Sequence, residues 1–577
     1  MGDIDTERLS NRWMRQYIRG NICNALQAMV DEGHLPDNLD RGSFTVERPR
    51  DPSHGDAATN AALVYGQVTG ESPRSIGEKL CEHLAQFVDE SEYLDSVDVA
   101  GPGFVNFQVS DGFRLAMLSD IRCSGSEYGT VDLGDNRKVV VEFVSANPTG
   151  PLVVVQARAA VLGDVVCNLL DKTGWSVQRE YYVNDSGGQV RALGLSMEVR
   201  LRQLKGEDLE FPEEGYPGDY VWDLAEKFEL RHPADAERIW QLSDNQRQEL
   251  LGRFAAEEIL KQHQDLLERY GVKFDRWYKE SEIRQKDGPQ KVIKQLRDVG
   301  YAYEKEGAVW LKASDFTDDR DRVLVKSNGA FTYLLPDLAY HKDKLERGFE
   351  RMIDVLGPDH HGHVPGLRAG LAALGLDSEA LEVLISQWVR LLRDGEEISM
   401  SKRQGTFITM EELLDEVGRD AARFLFIMKS SSSPVDFDLE LAKSQSEENP
   451  VYYAQYAHAR ICSIFSQAEQ QGYEVPGPAQ LSSGGLTVLE EDAEHQLIKK
   501  LGDFPDVISE SAGNLEPHRL ANYVLELAAK FHNFYTHCRV LSADKKLSQA
   551  RLYLCAGCRK ILAASLNILG VEPVEQM

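Results

Sequence analysis

Cysteine is scarce in this chain, 8 in 577 residues, too few for a disulfide framework. Most stand alone in apolar surroundings such as Val166-Cys167-Asn168-Leu169 and are expected as reduced core residues. The pair Cys555-Ala556-Gly557-Cys558 lies in a helical pattern with no second pair to complete a site, so no structural zinc is expected. Long hydrophobic runs are missing too: none approaches the roughly 18 uninterrupted apolar residues of a membrane helix. The first twenty residues mix charges of both signs without an apolar centre, so they do not read as a secretory signal. A cytoplasmic protein without membrane association is expected. Basic charge is in deficit, 64 Lys plus Arg against 93 Asp plus Glu, a formal net charge of −29. That excludes a protein coating nucleic acid through its overall field, but not a local basic track. Neither glycine-rich phosphate signature, G-x-G-x-x-G or G-x-x-x-x-G-K-[ST], occurs, so a bound nucleotide is held another way.

What is present is a globular composition, 42% hydrophobic and 27% charged, with length for about three or four domains. Residues 1–115 read as a small α+β domain: a helix over Trp13 to Val30, a strand over Phe44 to Glu47 and a helix starting near Asp56. A hairpin then pairs Ser96–Val99 with Phe104–Phe107. Residues 134–435 read as a doubly wound domain. Its β-branched run Val139 to Val144 breaks at Asn147-Pro148-Thr149-Gly150-Pro151. A helix with Leu152, Val155, Ala159, Leu162, Val166 and Leu169 on one face and a strand over Trp175 to Val183 complete a βαβ unit, which places a ligand at the strand's carboxyl end. A charged helical insertion, about 195–300, separates it from a second α/β half with strands at Met352–Leu356 and Leu381–Val389 and a tight turn at Asp394-Gly395. Residues 436–577 are helical, and Leu520, Tyr523, Val524, Leu527, Phe531, Phe534 and Tyr535 form an apolar stripe expected to face a bundle interior.

Three segments carry candidate chemistry: Glu142 to Gln156, Tyr333 to His363, and Ile398-Ser399-Met400-Ser401-Lys402-Arg403-Gln404-Gly405. Singly, each reads as a polar loop, a helix start with a solvated histidine cluster, and a surface turn. Together the chain resembles bacterial-type arginyl-tRNA synthetases over nearly its full length. The matching blocks are Glu47 to Asn60, Gly101 to Phe107, Glu142 to Pro151, Arg179-Glu180-Tyr181-Tyr182-Val183-Asn184-Asp185, Asp337-Leu338-Ala339-Tyr340-His341, Gly357 to Val364, and Glu448 to Tyr453 running on to Arg460.

The resemblance implies an α/β class I synthetase: a Rossmann catalytic domain with an insertion, a small α+β N-terminal domain reaching the tRNA elbow, and an all-α C-terminal anticodon-binding bundle. It implies ATP as substrate with accompanying Mg²⁺, arginine and its tRNA as partners, and a monomer. By resemblance Asp337 matches the guanidinium, Tyr333 packs beside it, and Glu142 and Asn147 hold the rest of the amino acid. ATP falls to Val153, Val155, Gln156, Gly357, Asp359, His360, Met400 and Lys402, with Gln156 and Lys402 catalytic. Transfer RNA falls to Asn106, Tyr453, Tyr456 and Arg460, and basic residues such as Lys499, Lys500, Arg559 and Lys560 are candidates to line the bundle's tRNA face.

The chain departs from the family pattern at three places. Where the HIGH signature has histidine, an aliphatic residue, glycine and histidine, this chain has Val153-Val154-Val155-Gln156. Both imidazole donors are gone, and losing one donor of this kind commonly costs about 10² to 10³ in rate. Ser399 stands for the first lysine of the KMSKS-like loop, and Pro336 for a small residue before Asp337. Two readings follow: an arginine–tRNA ligase, or a catalytically silent relative that binds tRNA or arginine as a regulator or adaptor.

Overall fold

The computed structural model describes residues 14–38, 40, 42–49, 51–90, 93–124, 127–316, 318–398, 408–477, 480 and 483–577. The N-terminal unit comprises α1 (Met14–Asp31), β1 (Val46–Glu47), β2 (Ala57–Thr59), α2 (Ala61–Thr69), α3 (Pro73–Glu90), β3 (Leu94–Ala100) and β4 (Phe104–Val109). Its antiparallel sheet runs β1-β2-β4-β3, and the β3–β4 hairpin is the one read from the alternation. Ile18, Ile22, Leu26 and Met29, one face of α1, pack with Tyr65, Leu80, Leu84 and Phe107. A helix near Asp56 is not formed. Gly55, at φ 97°, approaches β4 so closely that a Cβ would lie 2.5 Å from the Phe107 carbonyl, and the Asp56 N–H donates to that carbonyl at 2.8 Å. The chain therefore enters a strand, and the helix waits until Ala61.

Helix α4 (Asp111–Cys123) joins two cores: Phe113 lies in the N-terminal one, Leu118 and Ile121 in the large one. The catalytic half then lays down β5 (Lys138–Glu142), α5 (Val154–Lys172), β6 (Ser176–Val183), α6 (Gly188–Leu204), α7 (Tyr220–Arg231), α8 (Pro233–Arg238), α9 (Asp244–Arg269) and β7 (Arg276–Lys279). It continues with α10 (Glu280–Gln285), α11 (Gly288–Asp298), an antiparallel set β8 (Ala302–Lys305), β9 (Ala308–Leu311) and β10 (Arg322–Val325), then α12 (Leu334–Glu346), β11 (Arg351–Leu356), α13 (Val364–Ala373) and β12 (Leu381–Ile385). The central sheet is parallel in the order β12-β11-β5-β6-β7. From β5 the chain winds one way through β6 and β7 and returns on the other side as β11 and β12. The switch point therefore lies between β5 and β11, and the crevice outside their carboxyl ends is the favoured ligand position. Helices α6 to α9 form a cluster of their own around Leu193, Met197, Phe228, Leu251 and Ile259. Strand β7 lies inside the stretch read as helical insertion yet completes the central sheet, because four residues are too short to show a period.

Beyond the sheet come β13 (Val389–Arg393), β14 (Glu396–Glu397), α14 (Met410–Val417), α15 (Arg419–Ile427), β15 (Val435–Asp438) and α16 (Leu439–Lys443). Asp394 and Gly395, at φ 53° and 79°, make the expected tight turn of the β13–β14 hairpin. The helical end comprises α17 (Pro450–Gln470), α18 (Ser483–Leu486), α19 (Asp492–Leu501), α20 (Phe504–Gly513), α21 (His518–His537) and α22 (Lys545–Leu569). The stripe on α21 is buried from Leu520 to Phe534, whereas Tyr535 turns outward. Helix α22 is long and apolar enough to cross a membrane by composition, but two-thirds of that length is buried inside the molecule. Its Cys555 and Cys558 are buried, and burial raises both thiols.

Ion pairs hold the N-terminal unit to this bundle: Arg15 with Asp506 at 2.9 Å, Arg48 with Asp503 at 2.6 Å, and Lys499 with Asp56 at 2.6 Å. Two of the basic residues considered for a tRNA face are thereby committed within the chain, Lys499 to Asp56 and Lys560 to the carbonyls of Ile121 and Arg122.

Candidate active site

Parallel pairing aligns Glu142 on β5 with Glu180 on β6 and with Asp354 on β11. In-register partners on neighbouring strands project from the same face, so three carboxylates form a row across the middle of the sheet. Helix α12 crosses that row. Lys344, fully buried, donates to Glu142 Oε2 at 2.7 Å and to Asp354 Oδ1 at 2.8 Å. Arg347 forks onto Glu180 at 2.6 and 2.7 Å, and the Tyr340 hydroxyl donates to the same carboxylate at 2.7 Å. Burial opposes the charge on Lys344, but Asp354 and Glu142 outweigh it and raise its pKa. Burial likewise opposes ionisation of Asp354, and there Lys344 and His341 prevail and depress it. At Glu142 burial prevails and lifts the carboxyl above its ordinary range despite Lys344.

Asp337 lies seven residues before Lys344 on the same helix, at its accessible end. Its carboxylate meets His363 Nε2 at 2.7 Å, while its backbone carbonyl meets His341 Nδ1 at 2.8 Å; His341 Nε2 in turn faces Asp354 at 2.7 Å. The helix begins at Leu334 after Tyr333, so Asp337 is not its cap. Pro336 falls in the first turn, where backbone N–H groups lack helical partners anyway, and the Asp337 N–H still reaches the Tyr333 carbonyl at 3.3 Å. Tyr333 is 76% exposed at the mouth, and Asn147 is exposed beyond the end of β5.

The loop leaving β5 is strained and heavily tied. Val144 and Ser145 adopt φ of 67° and 37°, a region costly for non-glycine residues and most of all for a β-branched one. The kink lets Ser145 Oγ donate back to Glu142 Oε1 at 3.0 Å while accepting the Tyr182 N–H at 3.0 Å. Tyr181 donates to the Ala146 carbonyl at 2.8 Å and Tyr220 to the Thr149 carbonyl at 2.6 Å. His263, from α9, meets the Gly150 carbonyl through Nε2 at 2.8 Å; burial holds its pKa down to about 4, so it is neutral and donates that bond. The helical insertion thus braces the loop.

Val153 precedes the first turn of α5, and Gln156 Oε1 accepts its backbone N–H at 3.0 Å. Fixing Oε1 as acceptor leaves the Gln156 amide nitrogen, which only donates, for another partner. Val154 is buried, and Val155 packs partly against the large core. Two residues beyond Gln156, Arg158 is buried and donates to the carbonyls of Gln387, Ser430 and Ser433 at 2.7 to 2.9 Å, tying α5 to the connections beyond the sheet. Across the crevice β11 ends at Leu356; Gly357 opens a short 3-10 turn whose Asp359 and His360 are exposed. Met400 and Lys402 lie outside the described residues.

The structure therefore brings Glu142, Asp337, Tyr333, Gln156 and Gly357 to the carboxyl-terminal side of one sheet. Tyr453, Tyr456 and Arg460 gather separately on α17, with the Arg460 guanidinium 4.6 Å from the Tyr456 ring and 4.8 Å from that of Tyr535, and His532 packed against both tyrosines. Asn106 sits on β4 of the N-terminal unit. Sequence reasoning marked the segment from Tyr333 to His363 but gave no role to Lys344, Arg347, Asp354 or His363 within it. A signal existed: Asp337, His341 and Lys344 fall at i, i+4 and i+7, a polar line on one side of a helix that also carries the apolar Leu334, Leu335, Leu338 and Ala339.

Three family models match consecutive parts of the chain: "Arginyl tRNA synthetase N terminal domain" over residues 16–109, "tRNA synthetases class I (R), catalytic domain" over 117–463, and "DALR anticodon binding domain" over 454–577. Proteins named arginine–tRNA ligase are similar over almost the whole length. That of Desulforudis audaxviator is 46% identical across 97% of this chain and 99% of its own, and that of Heliobacterium modesticaldum 44% identical across 98% and 99%. The structure of Thermus thermophilus arginyl-tRNA synthetase shares the fold with a TM-score of 0.75, covering 98% of this chain and 100% of its own at 23% identity. With all three domains matched in order and the acidic crevice at the switch point of the sheet, the chain belongs to the arginyl-tRNA synthetase family.

Proposed function

We propose that this protein is an active arginine–tRNA ligase that forms arginyl adenylate with its altered nucleotide segment. The arginine carboxylate attacks the α-phosphate of ATP and displaces pyrophosphate; a terminal hydroxyl of tRNA then takes the arginyl group and releases AMP. The observation that carries the reading is the acidic crevice at the β5–β11 switch point, with Asp337 accessible above a carboxylate row. A guanidinium calls for a carboxylate that can take two parallel hydrogen bonds. In this reading Asp337 exchanges its bond to His363 for the guanidinium, Tyr333 packs beside it, and Glu142 and Asn147 hold the rest of the amino acid.

ATP lies over the start of α5 and the end of β11, near Val153, Val155, Gly357, Asp359 and His360, with Met400 and Lys402 contributing from the KMSKS-like segment. Gln156 and Lys402 are the catalytic donors, and the Gln156 amide nitrogen, without a hydrogen-bond partner among the described residues, supports that role. Mg²⁺ accompanies the nucleotide, carried largely by its phosphates. Residues 1–115 with Asn106 reach the tRNA elbow, 134–435 catalyse, and 436–577 with Tyr453, Tyr456 and Arg460 read the anticodon arm. The protein works as a cytoplasmic monomer without membrane association.

Nothing in the comparisons favours the silent reading. Charging of tRNA with radiolabelled arginine and ATP tests it, run beside the variant Val153→His, Val155→Gly, Gln156→His. Charging by the natural sequence is expected; its absence, with recovery in the variant, would establish the silent reading instead.

A further inference from the structure

Glu142 and Asp354 stand side by side on adjacent parallel strands, about 4.8 Å apart by strand spacing, and both are buried. Two carboxylates that close do not both stay ionised without a cation between them. Lys344 is that cation. It has no solvent exposure, its Nζ bonds both carboxylates, and it lies 4.3 Å from the Tyr340 ring, so it has one place to be. We infer that Lys344 is a positioning residue for the amino-acid substrate: it holds Glu142 as an oriented anion and joins it, through Asp354 and His341, to the backbone of Asp337.

The connections support both halves of that statement. Glu142 Oε2 is anchored by Lys344 and Oε1 by the Ser145 hydroxyl, so the carboxylate plane is set before substrate arrives. From Asp354 the path runs through His341 to the Asp337 carbonyl in bonds of 2.7 and 2.8 Å. The residues proposed for the guanidinium and for the rest of the arginine thus share one buried network centred on Lys344. The inference rests on the proposed contact of Glu142 with arginine.

The test uses the full chain with tRNA and ATP present throughout. Lys344→Met leaves two facing carboxylates and is prone to misfold, so the double variant Lys344→Met, Asp354→Asn is made beside it, which removes one charge of each sign. Folding is checked by thermal midpoint. The expected result in the double variant is a KM for arginine raised at least about 10-fold, with the KM for tRNA within about 2-fold of the natural value. Glu142 is faced by Lys344, His341 and Tyr340 from α12, Asp354 from β11 and Glu180 from β6. With Lys344 gone, the acid limb of kcat/KM for arginine moves up by about one pH unit in the single variant. A folded double variant with natural KM for arginine overturns the inference, as does an equal rise in the KM for tRNA. Glu142→Gln separates the two readings. If it raises the KM for arginine while the double variant does not, only the role of Lys344 falls; if it leaves that KM unchanged, the Glu142 contact falls and the inference with it.

Discussion

The backbone N–H of Met410 donates to the carbonyl of Leu152 at 2.8 Å, and Val153 pairs with Thr409 beside it. The segment standing where the HIGH signature belongs is thereby stitched to the residues that close the KMSKS-like loop. Val153 and Thr409 thus meet at one helix start, α5, where the Gln156 side chain accepts the Val153 N–H. This explains how the family fold tolerates Val153-Val154-Val155-Gln156: each valine finds packing or pairing, and Gln156 supplies the bond that holds the turn.

Gln156 is given two jobs, and two variants separate them. Gln156→Glu keeps an acceptor for the Val153 N–H but offers no donor, and should lower tRNA-dependent ATP–pyrophosphate exchange by about 10²-fold without changing the thermal midpoint. Gln156→Leu removes the cap as well, and should add a destabilisation of about 1 kcal/mol. Exchange at the natural rate in Gln156→Glu would leave Gln156 as a cap only.

Asp337→Asn keeps the shape of the side chain and removes the charge proposed to face the guanidinium. The KM for arginine should rise by about 10- to 100-fold, the worth of a charge-assisted bond at roughly 1.5 to 3 kcal/mol. The KM for ATP should stay near its natural value, because Asp337 lies on α12 and the proposed nucleotide contacts lie at the start of α5 and the end of β11.

Asp506, buried where the N-terminal unit docks on the bundle, has its pKa pushed up to about 7 by burial, an effect Arg15 only partly offsets and Asp503 and Glu510 reinforce. In the unfolded chain the same group titrates near about 4. Between those values the native state holds more protons than the unfolded one, so this group's stabilisation is complete below about pH 4 and is lost as pH rises through 7. Asp506→Asn should flatten that dependence. Thermal midpoints between pH 5.5 and 8.5 should converge for the variant and decline for the natural chain, by an amount on the order of 1 kcal/mol.

Arg423 is fully buried. It pairs with Asp164 of α5 and donates to the carbonyls of Leu569 at 3.0 Å and Tyr270 at 3.1 Å, so it joins α5, the end of α9 and the last helix. Arg423→Met leaves Asp164 buried without its cation and should cost about 3 to 5 kcal/mol, read as a lowered thermal midpoint. Gly570→Ala should act in the same direction, since a Cβ there would lie 2.1 Å from the Arg423 guanidinium, at a φ of 68°.

Much of the fold was legible in the sequence because burial writes itself as period. The continuous Val139-Val140-Val141 run, the helical face from Leu152 to Leu169 and the stripe on α21 each announce their element and its buried side. Where period fails, legibility fails: four-residue β7 disappeared into the insertion, and Gly55 turned an expected helix start into a strand. The candidate arginine contacts Glu142 and Asp337 were visible as part of a resemblance, but their partners were not.

The sequence by itself determined the family, the order of the domains and the apolar faces, because those reside in local pattern and in blocks short enough to read. Only the tertiary structure decided that Glu180, Glu142 and Asp354 form one row and that Lys344 sits inside it. Strand register sets which carboxylates become neighbours, and a helix from about 200 residues away must cross at the right height to neutralise them. No local spacing encodes that meeting. It exists only once the sheet has closed around its switch point.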